Sequence, residues 1–182
     1  MNALGEEVKS GRIGSVGVSN YSAEQMRQAS QILAKKEVPL AVNQVQYSLL
    51  YRKIETKGIL ATAKELGVTI LAYSPLAQGL LTGKYSPESQ NLPDGARKVD
   101  SRFKKEGLEK IAPILRVMQE LGAKYQKTSA QVALNWLIAQ GDVIPIPGAK
   151  TAAQAIENAG ALGWSLEAQE VTQLEQMSRP WL

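Results

Sequence analysis

The sequence predicts an α/β fold built on a parallel sheet, and two observations carry that prediction. Short β-branched runs alternate with longer segments of helical periodicity along the chain, the order that parallel strands and right-handed crossovers require. Polar or glycine-containing residues follow the apolar runs at Ser19-Asn20, Tyr73-Ser74 and Gly148-Lys150, and Gln44 sits within one of them. In parallel architectures ligands bind at that carboxyl edge, so these positions imply one shared site. With 182 residues, one core and a single domain over 1–182 are expected.

The elements follow in order. "SVGVS" (15–19) is a short strand, and the segment 22–36 is a helix with Ser22 as N-cap and Met26, Ala29 and Leu33 on one face. "LAVNQVQYS" (40–48) is a second strand, followed by a helix over 53–67 that Gly67 closes. "VTILAYSPL" (68–76) is the third and most apolar strand. A polar stretch over 77–104 leads to helices near 106–123 and 128–140, the latter opened by Thr128 and Gln131 at capping-box spacing. "DVIPIP" (142–147) is a fourth strand, with helices over 151–162 and 166–178 after it. Trp136 falls on an apolar helix and is expected in the core, with Trp164 and the closing "RPWL" as packing residues.

Composition excludes several functions. The chain has no cysteine, which rules out disulfides and thiolate metal sites and fits a reducing, cytoplasmic setting. It has no histidine either, and no metal site is expected. No apolar run approaches the ~20 residues of a membrane span, and the opening "MNALGEEVKSGRIGS" lacks the pattern of a secretory leader. Net charge is +4, but no basic stretch is interleaved with aromatics, so nucleic acid is not an expected partner.

The stretch "VIPIPGAKTAAQAIENAGAL" (143–162) has the local design of an anion site. A strand passes through two prolines into a small-residue turn, a lysine and the amide-rich start of a helix. Lys150, Gln154, Glu157 and Asn158 are spaced to share one helical face.

Four segments in this order, "GSVGVSNYS", "VNQVQYSLL", "LAYSPLAQGLLTGKY" and "IPIPGAKTAAQAIENAGAL", resemble the aldo-keto reductases. The likeness is closest to the branch that carries a "GLLTGKY" loop and an "IPGAK" turn, which includes potassium-channel β-subunits. The resemblance implies a (β/α)8 barrel of TIM type, which runs to about 250 residues and eight strands. Here it implies the last four β/α units of that barrel, a half-barrel, plus an extra C-terminal helix. Met1 then falls in the helix before the fifth strand. The family's catalytic Asp, Tyr, Lys and His lie on the first four strands, so no catalytic residue is assigned.

The resemblance also implies NADP(H) as cofactor and a set of contacts. Ser19, Asn20 and Gln44 would hold the nicotinamide carboxamide, since amide side chains offer donor and acceptor together. Tyr73 would stack on the nicotinamide face. Ser74, Leu76, Gln78, Gly79 and Lys84 would form the pyrophosphate loop, where glycine lets amides approach closely. Gly148 would begin the turn and Lys150 meet the 2′-phosphate, with Gln154 where many relatives carry arginine, Glu157 and Asn158 reaching adenine, and Arg102 near the cofactor or over the pocket. For several of these positions a structural reading stays open: a turn at Ser19-Asn20, strand pairing at Gln44, a core ring at Tyr73, a surface loop at 74–84.

The expected function is the cofactor-binding half of an NADP(H)-dependent oxidoreductase, inactive alone and completed by a missing half or a second copy. Two alternatives remain: a non-catalytic regulatory domain like the channel β-subunits, and a truncated or engineered half-barrel with no function of its own. A carbonyl substrate is expected only in the completed assembly.

Overall fold

The computed structural model describes residues 1–86 and 95–182; the predicted polar stretch 77–104 therefore falls partly outside the described residues. The chain opens with helix α1 (Asn2–Lys9), then β1 (Val16–Ser19), α2 (Ala23–Ala34) and β2 (Leu40–Gln46). Two short helices, α3 (Lys53–Thr56) and α4 (Ile59–Leu66), precede β3 (Thr69–Tyr73). A long helix α5 (Lys105–Tyr125), α6 (Ser129–Ile138), β4 (Val143–Ile146), α7 (Ala152–Ala159) and α8 (Ala168–Met177) complete the order.

Local hydrogen bonding explains the helix starts. Ser22 Oγ accepts from the Gln25 amide at 3.2 Å while Gln25 Oε1 accepts from the Ser22 amide at 2.9 Å. Thr128 and Gln131 repeat this reciprocal cap at the start of α6, satisfying donors that a helix leaves orphaned. The single helix expected over 53–67 is broken in two. Gly58 stands at φ 70°, a left-handed conformation that a continuous helix cannot contain. The second and third strands end earlier than expected: Ser48 turns to bridge Tyr51, and Ser74 adopts φ 51° directly after β3.

The four strands form one parallel sheet in chain order. The alternation of side chains gives it two unlike faces. Val16, Asn43, Val45, Ile70, Ala72 and Val143 are buried on one face, where α2 packs on β2, α4 on β3 and α6 on β4. Met26 and Leu33 of α2 are fully buried there, each contributing about 1.5–3 kcal/mol. Asn43 is the polar exception, completely buried. Its carboxamide donates to Tyr21 O at 3.0 Å and accepts from the Tyr21 amide at 3.3 Å, fixing the β1–α2 turn. The register places Gly17, Ser19, Val42, Gln44, Gln46, Leu71, Tyr73, Ile144 and Ile146 on the opposite face. No helix among the described residues covers that face. This is the geometry of half a (β/α)8 barrel, with the inner surface open.

Trp136 is fully buried, as expected, edge-on to Tyr47 at 5.4 Å between ring centres. Trp164 stacks against Tyr125 at 4.9 Å, and the Trp181 carbonyl accepts from the Arg52 amide at 2.8 Å.

Candidate functional site

Strained backbone recurs at the carboxyl ends of β1 and β3. Asn20 follows β1 at φ 57°, Ser74 follows β3 at φ 51°, and Ala77, Gln78 and Gly79 run at φ 47°, 58° and 98°. Non-glycine residues rarely adopt such angles, at a cost of roughly 1–3 kcal/mol each. The consequence is a tight loop over the sheet edge, closed by bonds from the Ala77 amide to Ser74 O and from the Gly79 amide to Leu76 O, both 2.9 Å.

That loop forms one wall of a groove of about 850 Å³. Ser74, Leu76, Gln78, Gly79, Thr82, Lys84 and Tyr85 line it from this side, with Arg97 above. The opposite wall is Pro147–Lys150 with Gln154, Glu157 and Asn158. Among the described lining residues, three are basic, Lys84, Arg97 and Lys150, and one is acidic, Glu157. Arg97 is held in place by the Tyr85 hydroxyl at 3.2 Å, and Tyr85 by an edge contact to Phe103 at 5.1 Å.

The turn after β4 is built by the helix that follows it. Thr151 caps α7 by accepting from the Gln154 amide at 3.2 Å. Gln154 Oε1 in turn accepts from the Lys150 amide at 2.6 Å, and Asn158 Nδ2 donates to Gly148 O at 3.4 Å. Lys150 therefore lies in the turn ahead of α7, not on the helical face expected from its spacing, because the cap falls one residue after it. Gln154, Glu157 and Asn158 do share the face that lines the groove.

Ser19, Asn20, Gln44 and Tyr73 lie outside the groove lining, at the neighbouring strand ends. A hydrogen-bond chain joins them. Tyr73 OH donates to Asn20 Oδ1 at 3.2 Å, Asn20 Nδ2 to Ser19 Oγ at 3.2 Å, and Ser19 Oγ to the Gln44 carbonyl at 3.0 Å. Only the backbone of Gln44 takes part in this chain.

Arg102 is not among the residues that line the groove. It folds back on Asp100, with Nη2 2.6 Å from Oδ2. The guanidinium holds the Asp100 carboxyl below its usual range. The arginine that lines the groove is Arg97, which the sequence reading missed. Nothing in the run of Arg97, Lys98, Arg102, Lys104 and Lys105 marks which side chain turns inward. Among the described residues no cluster of acids could hold a metal ion, and no helix is long and apolar enough to cross a membrane.

A model of the aldo/keto reductase family matches residues 1–179. The chain belongs to the aldo/keto reductase family. Pyridoxal reductase of Arabidopsis thaliana chloroplasts is 42% identical over 178 residues, a match covering 98% of this chain and 47% of that protein. L-glyceraldehyde 3-phosphate reductase of Escherichia coli K12 is 34% identical over 180 residues, covering 96% and 52%. Among solved structures, glycerol dehydrogenase of Gluconobacter oxydans superposes with TM-score 0.85 at 31% identity, covering 100% of this chain and 54% of that one. A thermostable aldo-keto reductase in complex with the inhibitor epalrestat gives TM-score 0.71 at 26% identity, covering 96% and 52%. The aldo/keto reductase chain described here thus spans about half the length of the relatives it matches.

Proposed function

We propose that this chain is the nucleotide-binding half of an NADP(H)-dependent aldo-keto reductase, a single partial domain over 1–182. The observation that carries the reading is the cationic groove itself. The left-handed turn at Gln78 and Gly79, with Lys84 on the same wall, faces a lysine-bearing turn at the start of α7. Such a cradle suits a pyrophosphate on one side and a phosphate monoester on the other. When bound, the cofactor supplies the hydride.

The chain's own residues do the rest. Lys150 and the amide-rich start of α7 select the 2′-phosphate, an interaction that helix-end partial charge strengthens by roughly 0.3–2 kcal/mol. Glu157 and Asn158 meet the adenosine. Gly79 holds its turn at φ 98°, a conformation that residues with a side chain rarely adopt. The Tyr73–Asn20–Ser19 chain presents polar atoms at the sheet edge to orient a carboxamide. No tyrosine or histidine is assigned as proton donor, and the proton-transfer share of catalysis, about 10²–10⁴-fold, is missing from this half.

Titration of the purified chain with NADPH and NADH, followed by nicotinamide fluorescence, tests the reading. NADPH should bind more tightly, and Lys150→Ala should weaken NADPH about tenfold while leaving NADH nearly unchanged. Equal losses for the two would remove the 2′-phosphate assignment, and no binding of either would sink the proposal. NADPH consumption with a panel of aldehydes should match the protein-free blank; protein-dependent turnover would show that a proton donor lies within this chain.

A further inference from the structure

Asn20 stands at φ 57°, a left-handed backbone that persists only where its surroundings over-determine it. Two successive residues of β2 supply that determination. The Gln44 carbonyl accepts from the Asn20 amide at 2.9 Å and from Ser19 Oγ at 3.0 Å. That amide belongs to the peptide plane before Asn20, so this bond holds the φ side of the residue. The plane after Asn20 carries the Tyr21 amide, which donates to Asn43 Oδ1 at 3.3 Å. The Asn43 side chain therefore holds the ψ side.

Asn43 is an expensive way to hold a turn. It is fully buried and shares the helix-covered face of the sheet with Val16, Val45, Ile70 and Ala72, where an unpaired carboxamide would be strongly unfavourable. Its Nδ2 donates to Tyr21 O at 3.0 Å and to Met26 Sδ at 3.1 Å. Every one of these partners lies in the β1–α2 turn or in α2 itself. The buried amide thus specifies the path of the chain directly after Asn20. The Asn20 side chain, placed by that path, accepts from Tyr73 OH and donates to Ser19 Oγ, both at 3.2 Å.

We propose that Asn43 is a positioning residue for the nicotinamide end of the cofactor, acting through Asn20 without touching the ligand. The inference rests on the NADP(H) reading above. It separates the two ends of the ligand: Asn43 governs the carboxamide contact, and the 2′-phosphate turn at Lys150 is independent of it. A side chain buried for packing alone would lower stability and favour neither end.

Calorimetric titration of the full chain with NADPH, and with adenosine 2′,5′-bisphosphate, tests this. The second ligand carries the 2′-phosphate but no nicotinamide. Asn43→Leu keeps a side chain of similar shape and removes all three bonds. It should weaken NADPH roughly tenfold, the factor that one hydrogen bond supplies, and leave the bisphosphate unchanged. Added to Asn20→Ala it should cause little further loss, because both changes remove one contact. Asn43→Ser, too short to reach Tyr21, should behave alike and serves where the leucine variant does not fold. One measurement needs no substitution: in the wild-type chain the Tyr21 amide should exchange with solvent as slowly as the amides of β2. Equal losses for the two ligands, additive losses with Asn20→Ala, unchanged NADPH binding, or a Tyr21 amide that exchanges like an exposed loop would each overturn the proposal alone. A wild-type chain that binds neither ligand would remove the cofactor reading and this inference with it.

Discussion

The guanidinium of Arg52 grips the carboxylate of Glu55 through two hydrogen bonds of 2.7 Å in a nearly buried site. Its remaining amino group donates to Ser178 Oγ at 2.8 Å and to the Glu175 carbonyl at 2.7 Å, and the plane lies 5.4 Å over Trp136. One side chain thus ties the loop after β2 to the end of α8. Burial works against the charge on Arg52, but Glu55 outweighs it and holds the guanidinium protonated.

Arg52→Ala is therefore expected to destabilise the fold by about 3–5 kcal/mol, since it takes the charged partner from Glu55, leaving it the Tyr47 hydroxyl at 2.9 Å, and removes a donor to Ser178 Oγ. Urea denaturation followed by tryptophan fluorescence measures this directly. Arg52→Lys should recover only part of the loss, because an ammonium cannot make the two-pronged contact. A loss under 1 kcal/mol for Arg52→Ala would mean that the C-terminal segment is held by apolar packing alone.

The second anchor of α8 is titratable. Burial would raise the Glu170 pKa, but hydrogen bonds from Tyr125 OH (2.7 Å) and Lys124 Nζ (2.9 Å) prevail and lower it. Lys124 is shifted upward by the same contacts with Glu167 and Glu170. A carboxyl depressed on folding contributes stability above its unfolded pKa of about 4.3 and loses it as pH falls through the folded value. Stability should thus drop below about pH 4.3. Glu170→Gln should be less stable than wild type at neutral pH, and the gap should narrow in acid. A constant gap across the titration would show that Glu170 acts through packing rather than charge.

How much of this was legible depends on the reach of the forces involved. The caps at Ser22 and Thr128 were readable because both partners lie within one helical turn. The break at Gly58 was not, since one glycine seldom ends a helix and Ile59, Ala63 and Leu66 resume helical spacing directly after it. The Arg52–Ser178 contact spans 126 positions, and nothing local announces it. In the groove, Gly148, Lys150 and Gly79 stood out through turn chemistry, whereas Arg97 depends on a contact with Tyr85 across the intervening stretch.

Gly107 offers a test of how residues 101–103 are seated. A Cβ at this position in α5 would lie 2.6 Å from Arg102 Cα and collide with the Ser101 carbonyl. The backbone of 101–103 must move if Gly107 acquires a side chain. Gly107→Ala should lower stability by about 1–3 kcal/mol, the usual effect of overpacking. A melting temperature equal to that of wild type would mean that 101–103 yields freely and does not brace Tyr85 through Phe103.

The two cationic walls of the groove should separate in binding experiments. Lys150 sits in the turn before α7, where only a cofactor bearing a 2′-phosphate would reach it, whereas Arg97 stands beside Gln78 and Tyr85 on the loop that would meet the pyrophosphate common to both cofactors. Arg97→Ala should therefore weaken NADPH and NADH together, by about 1.5–3 kcal/mol for the loss of a charged hydrogen bond. Tyr85→Phe keeps the ring on Phe103 but removes the hydroxyl 3.2 Å from the guanidinium, so it should give a smaller loss of the same, unselective kind. If Arg97→Ala discriminated between the cofactors as Lys150→Ala is expected to, the arginine would belong to the phosphate-selecting wall. The loop of Ser74–Lys84 would then have to hold the pyrophosphate with its backbone amides and Lys84 alone.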